Sequence, residues 1–457
     1  MGYRGVLAKL LAVAGFAAVF LPTASVQSQN PSPPAPLEDY LREPMPPGFQ
    51  VVQTELEGPV FADANGKTLY TWPMKALRNG SAGEQKGKPT CDDMRHTENA
   101  GLMSPYPAGL LLPDSATRPS CVEVWPPVIA DEKAEKTGKW TVVARKDGRK
   151  QWAYDEYALY TSNLDQRPGD TIGGTKMRLA GEAGAVRETV GPDPNVPSQF
   201  KVYTVATGRL LTTNEGYSVY AWDKDSALKS ACEGACLREW LPILAPARAI
   251  PQSGWSVIER TPGILQWVFQ GRPLYAHIGE NRPRSMEGND IPGWHNVYTQ
   301  TAPAWPKGWT VQDTRSGQVL ADSHGMTIYL YYCNDDAVDQ LSCNHPDTPQ
   351  VYRLAICGRG NPDRCRETFP YVIAGKDAVS VNRAWTIMDI DPKTGRRAVA
   401  GMPGGLRVWA YRDRPVYQSS RDHRPGDMEG DSWGEFNGWR NGFKAFWLRD
   451  EFQRNAG

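Results

Sequence analysis

The residues of this chain with the most chemical potential are acids gathered in two glycine-containing loops. Residues 165–170 read DQRPGD and residues 422–431 read DHRPGDMEGD, so Asp165 and Asp170, then Asp422 and Asp427, bring carboxylates into tight turns. Calcium loops are built this way, from several oxygen ligands around a glycine. A third stretch offers Glu280, Glu287 and Asp290, with Arg284-Ser285 where the others have Gly-Asp. Calcium is the one cofactor these loops would admit. Arg167 and Arg424 lie inside them and would repel a cation. The favoured reading is therefore a turn in which Asp accepts from backbone amides and pairs with Arg.

Cysteine is the second group. Cys121, Cys236 and Cys365 each stand four residues before an aromatic in proline-containing sequence (Trp125, Trp240 and Phe369), and the nearest upstream cysteines are Cys91, Cys232 and Cys357. This pairs 91 with 121, 232 with 236 and 357 with 365. Cys333 and Cys343 are left as a fourth bridge. Zinc or copper could use cysteines beside a histidine, and His96 and His345 lie near Cys91 and Cys343. The six histidines share no common position, however, and no Cys-x-x-Cys-His occurs. Bridges are preferred to metal. The chain shows no Gly-x-Ser-x-Gly elbow, phosphate loop, dinucleotide fingerprint or His-Glu-x-x-His helix.

Aromatics are the third group, and they reveal what must position the others. Leu69-Tyr70-Thr71-Trp72, Val219-Tyr220-Ala221-Trp222 and Ile328-Tyr329-Leu330-Tyr331 open three copies of one unit. Trp152, Trp267 and Trp409 lie eight residues before Tyr160, Tyr275 and Tyr417, and eight more lead to Pro168, Pro283 and Pro425, each preceded by Arg. Spacing held at three places marks a triplicated structural unit. Each unit is also doubled internally. Both halves carry a Leu/Val/Ile-Tyr step, and an acid follows the closing tyrosine by five residues (Asp165, Glu280, Asp422). In the opening halves only Asp225 keeps that acid, with Lys75 and Asn334 in the other copies.

The local signals are strands. Turn sequences at Asn65-Gly66, Glu215-Gly216 and His324-Gly325 precede β-prone runs, residues 140–144 alternate, and no long stretch has a 3.6-residue apolar period. A short helix is expected near Leu237 to Trp240. The fold class is all-β: three tandem β-modules, small barrel- or sandwich-like, each an internal duplication. The alternative is a closed multi-blade ring resembling a β-propeller. The modules span 50–187, 201–298 and 308–450, joined by polar, proline-containing linkers.

The N-terminus reads as an export signal over 1–28. Arg4 and Lys9 precede an apolar run, residues 10–21, too short to span a bilayer, and small residues follow at Ala24-Ser25. A proline-rich tether covers 29–49. The mature chain, in periplasm or medium, is expected to have no membrane span. Lys plus Arg equals Asp plus Glu at 51 each over 457 residues, which gives no electrostatic reason to expect nucleic acid.

Tyr220, Trp222 and Asp225, followed by Cys232, Cys236, Trp240, Gln266-Trp267 and Gly271-Arg272-Pro273-Leu274-Tyr275, resemble a secreted-repeat family described as predicted lipoproteins with a Yx(F/W/Y)xxD motif. The resemblance implies an exported, repeat-built protein. No cysteine follows the apolar run, so the lipid attachment in the family's label has no acceptor here.

The expected role is non-catalytic binding or scaffolding in the cell envelope, with an envelope protein or glycan as partner. Rings present in every copy are assigned to the core. Tyr220, Trp222 and Asp225, with the unmatched Trp433, Trp439 and Trp447, are the binding candidates. The alternatives are an envelope redox or metal-handling accessory, which would keep Cys232 and Cys236 reduced, and a carbohydrate-active enzyme, which needs two carboxylates in a deep cleft.

Overall fold

A closed triangle of backbone hydrogen bonds explains why the same short apolar steps recur. In the second repeat the Leu211 amide donates to the Val297 carbonyl, Val297 to Val219 and Val219 back to Leu211, at 2.9–3.1 Å. Phe61, Val190 and Leu69 form the same cycle in the first repeat, and Leu320, Phe446 and Ile328 in the third. The closing halves repeat it with Trp152, Val128 and Leu159, with Trp267, Ile243 and Leu274, and with Trp409, Val372 and Val416. Each triangle lets three short segments satisfy their buried backbone groups without a long sheet. The halves then join through their tyrosines, because Tyr70 faces Tyr160, Tyr220 faces Tyr275 and Tyr329 faces Tyr417 in antiparallel register. The internal doubling is thus a pseudo-twofold axis between each tyrosine pair.

The computed structural model describes residues 37–77, 80–94, 119–174, 187–333, 350–434 and 441–450. Contacts divide the chain into Met1–Ala35 and Pro36–Gly457, and every described residue belongs to the second unit. The export signal expected over 1–28 lies outside the described residues.

The fold is all-β, in several small antiparallel sheets. In the second repeat a central sheet has the order Trp240–Pro242, Tyr275–His277, Tyr220–Trp222, Trp294–Asn296. Two hairpins flank it, Phe200–Val205 with Gly208–Thr213 and Trp255–Thr261 with Ile264–Phe269. Among the described residues no sheet closes into a barrel and no propeller ring forms. The few helices are short. Cys121–Val124, the 3-10 turn Gly234–Arg238 and Pro362–Thr368 each carry the downstream cysteine of a pair and deliver the aromatic that follows it. The helix expected near Leu237 is that 3-10 turn.

Each repeat holds two aromatic cores. Between the flanking hairpins, Phe49, Trp140 and Trp152 meet, as do Phe200, Trp255 and Trp267, with nearest centroids 4.6 and 4.7 Å apart. Trp309, Trp385 and Trp409 fill the same place in the third repeat. The other core, beside the cysteine pair, carries the site described below.

The repeats interlock. The turn between Phe49–Gln53 and Pro59–Asp63 inserts Leu56 into a cluster with Ala206 of the second repeat and Trp385, Tyr411 and Phe446 of the third. Around it, Gln300 donates to the Thr54 carbonyl, Arg412 pairs with Glu57 at 3.4 Å, and Arg449 donates to the Met286 carbonyl. Two stretches read as connectors take part in this structure. Tyr298–Thr301 pairs with Gly208–Thr213, and from the tether Glu38 makes two hydrogen bonds with Arg209 at 2.6 and 3.0 Å. A buried carboxylate needs such a partner, and Glu38 is 2% exposed.

Candidate functional site

The acid five residues after each closing tyrosine reaches across the pseudo-twofold axis to the opening tyrosine. The Tyr70 hydroxyl donates to Asp165 and the Tyr329 hydroxyl to Asp422, each at 2.7 Å, and Tyr220 donates to Glu280. All six side chains are buried. Burial raises the carboxyl pKa to about 7 at Asp165 and Glu280 and to about 6 at Asp422, outweighing the tyrosine hydrogen bond, which favours the anion.

The reciprocal bond, from closing tyrosine to an acid of the opening half, varies between copies. In the second repeat the Tyr275 hydroxyl is hydrogen-bonded to the Ser230 hydroxyl at 2.7 Å, with Asp225 close by, and its pKa is raised to about 12 chiefly by burial. Asp225 Oδ1 accepts from the Ala231 amide at 2.7 Å, pinning the segment that leads into Cys232. In the first repeat Glu84 accepts from Tyr160 at 2.7 Å. In the third, the Arg353 guanidinium lies over the Tyr417 ring at 5.6 Å. The motif acid Asp225 therefore ties down the segment before the cysteine pair, while the partner of the closing tyrosine changes from copy to copy: Glu84, Ser230 and Arg353.

Beside each tyrosine pair lies a three-layer stack. In the second repeat Trp294 is sandwiched between Trp240 (centroids 3.6 Å apart, planes 2° apart) and Trp222 (5.0 Å, 7°). In the third, Phe443 stacks on Phe369 (3.7 Å, 3°) and meets Tyr331 at a tilt (5.3 Å, 58°). In the first, the middle layer is the Arg187 guanidinium, 3.8 Å from the Trp125 ring and 4.2 Å from Trp72. A delocalised planar cation can replace an aromatic ring between two π-faces. The copies also differ at the outer layer. Trp72 and Tyr331 are 2% and 7% exposed, whereas Trp222 is partly exposed, with the Lys224 ammonium 5.1 Å from its centroid. Asp223, exposed at the next position, is held by Arg272 at 3.1 Å and His295 at 2.7 Å.

The remaining sequence candidates fall as follows. Asp170 accepts from the amides of Gln166 and Arg167, and Asp427 from those of His423 and Arg424. The acidic loops are therefore amide-capped turns, with Asp165 and Asp422 turned inward to tyrosine. Among the described residues no group of three or more His, Cys, Asp or Glu side chains is placed to hold a metal ion. Trp433, expected on the surface, is only partly exposed, with Arg421 3.9 Å above its ring and its indole N–H bonded to the Ile356 carbonyl at 3.1 Å. Trp447, expected there too, is 4% exposed and sits in strand Trp447–Asp450, where the sheet covers it. Trp439 lies outside the described residues. The cysteines pair 91 with 121, 232 with 236 and 357 with 365, in agreement with the repeat logic. The fourth pair, Cys333 with Cys343, lies outside the described residues at Cys343.

Arg187, Glu84 and Arg353 were not legible as site residues. Arg187 stands three before Val190, as Trp294 stands three before Val297, so aligning the closing strands would have exposed the equivalence. Glu84 lies fourteen residues after Tyr70, where Asp225 lies five after Tyr220, so spacing alone hides it.

Residues 201–243 match a protein family described as a secreted repeat of unknown function. That stretch runs from the first hairpin of the second repeat through Trp222, the Cys232–Cys236 bridge and Trp240. Searches of curated proteins and of solved structures found no match. No helix among the described residues is long and apolar enough to cross a membrane.

Proposed function

We propose that this protein is an exported, non-catalytic recognition protein of the cell envelope, and that Trp222 is its contact surface for a glycan. One observation carries the reading. At three equivalent positions the outer layer of the stack is buried twice, and only Trp222 is partly exposed. Its ring is backed in parallel by Trp294 and Trp240, so it is ordered before any ligand arrives. A rigid indole face flanked by exposed Asp223 and Lys224 suits a sugar ring, whose C–H face packs on aromatic carbon while its hydroxyls meet polar groups. Export, to the periplasm or the medium, is supported by the secreted-repeat match and by the cystine bridges. The buried carboxyls are engaged by tyrosines, which supports a structural role for them over glycosidic acid–base work.

The test is binding of wild type and Trp222→Ala to a panel of immobilised envelope oligosaccharides. Near-UV circular dichroism checks that the remaining stack is intact. Affinity for at least one glycan should fall by about tenfold or more, the scale of one lost aromatic contact. Equal binding by the two proteins, or no binding by wild type, would overturn the proposal.

A further inference from the structure

We infer that the Cys232–Cys236 bridge is a site of thiol–disulfide exchange for a dithiol donor, and that the indole stack of the second repeat reports its state. The inference stands apart from the glycan reading. The described bridges differ in access. Cys91 and Cys121 are 3% and 2% exposed, and Cys357 and Cys365 are 6% and 0%. Cys232 is likewise buried, but Cys236 is partly exposed, and the residues between them, Glu233, Gly234 and Ala235, are all exposed. The bridge closes a loop with three residues inside, and its Cys236 end lies in the single 3-10 turn Gly234–Arg238. Opening it therefore releases little chain, and the exposed residues 233–235 leave this turn open to an incoming thiolate.

The polarity of the exchange follows from the same asymmetry. The donor's first thiolate bonds to the sulfur of the partly exposed Cys236. The Cys232–Cys236 bond breaks, and its electron pair leaves on Cys232 sulfur, which takes up a proton. Arg260 donates to the Cys232 carbonyl and to the Ser230 hydroxyl, which places a cation at the backbone of the residue whose sulfur leaves. The donor's second thiolate then displaces Cys236 from the mixed disulfide. The donor ends as a disulfide, Cys232 and Cys236 end as thiols, and two electrons and two protons have passed to the protein.

The consequence lies in the stack. Cys232, Cys236, Trp222, Trp240 and Trp294 belong to one packed cluster. The Glu239 amide donates to the Cys236 carbonyl at 3.2 Å, so the turn closed by the bridge fixes the entry into the strand that carries Trp240. Asp225 holds the other side through Ala231. Reduction leaves the Asp225 anchor in place and frees the Trp240 end, which loosens the backing of Trp294 and Trp222.

The experiment treats the native full-length protein with graded dithiothreitol, quenches with an alkylating agent and reads each cysteine peptide by mass spectrometry. Near-UV circular dichroism is followed in parallel. Cys232 and Cys236 should be labelled about tenfold faster or more than Cys91, Cys121, Cys357 and Cys365. The aromatic bands should weaken in step with that first labelling. Labelling of Cys232 and Cys236 at the same rate as the others, or later, overturns the exchange site. Rapid labelling with an unchanged aromatic spectrum overturns the coupling. The variant Cys232→Ser with Cys236→Ser should show the reduced protein's spectrum from the outset. If it fails to fold, the wild-type time course still decides both points.

Discussion

The Tyr70 hydroxyl donates to the Asp165 carboxyl at 2.7 Å, joining residues 95 apart in sequence across the pseudo-twofold axis of the first repeat. With Tyr220–Glu280 and Tyr329–Asp422, it makes each repeat depend on a buried carboxyl that prefers to keep its proton.

These three acids set a pH dependence. Their folded pKa values, about 7, 7 and 6, lie above the unfolded values of about 4. Between pH 4 and 7 the folded chain binds more protons than the unfolded one. The contribution of the acids is thus complete below about pH 4 and is lost as pH rises to about 7. Urea midpoints at pH 5 and pH 7.5 should differ less in the triple variant Asp165→Asn, Glu280→Gln, Asp422→Asn than in wild type. An equal difference would show that the pairs do not govern this window.

The middle layer of the stack bears the packing load. Trp294→Ala should destabilise by about 3–5 kcal/mol, because a fully packed indole leaves a cavity between Trp222 and Trp240. Arg187→Ala should also destabilise, since Trp72 and Trp125 lose the cation between them. Equilibrium denaturation measures both. A loss below about 1 kcal/mol for Trp294→Ala would exclude the stack as a core.

Gly66 sits at φ +80°, and a β-carbon there would lie 2.7 Å from that of Pro168. The repeated Gly and Pro positions are therefore in contact, as Gly325 and Pro425 are at 2.7 Å. Gly66→Ala should cost roughly 1–3 kcal/mol for backbone strain and more for the clash. Gly148→Ala, at φ +84° with nothing within 4 Å, should incur the strain alone. Equal melting temperatures for the two variants would remove the packing contribution.

Glu38 and Arg209 clamp the stretch before the first repeat to the second. Glu38→Ala leaves a guanidinium whose side chain is only 14% exposed without its carboxylate and should destabilise by about 3–5 kcal/mol. The double variant Glu38→Ala, Arg209→Met should recover much of that loss. Calorimetry that finds no difference between single and double variants would dismiss the clamp.

By itself the sequence determined whatever rests on short-range periodicity. Tyr70, Tyr220 and Tyr329, the Trp-to-Tyr spacing, the three described cysteine pairings and the all-β class follow from residue type and offset, because a strand alternates faces and a turn selects glycine wherever it occurs. Tertiary structure decided the rest. That Asp165 serves Tyr70 in the other half, that Arg187, Trp294 and Phe443 occupy equivalent places, and that Leu56 plugs a cluster shared by all three repeats are properties of facing surfaces. Linear spacing cannot carry them. Glu84 lies fourteen residues past Tyr70, yet it is the acid that meets the closing Tyr160. Exposure at Trp222 has the same origin, since an identical strand motif is covered or uncovered only by what the rest of the chain packs against it.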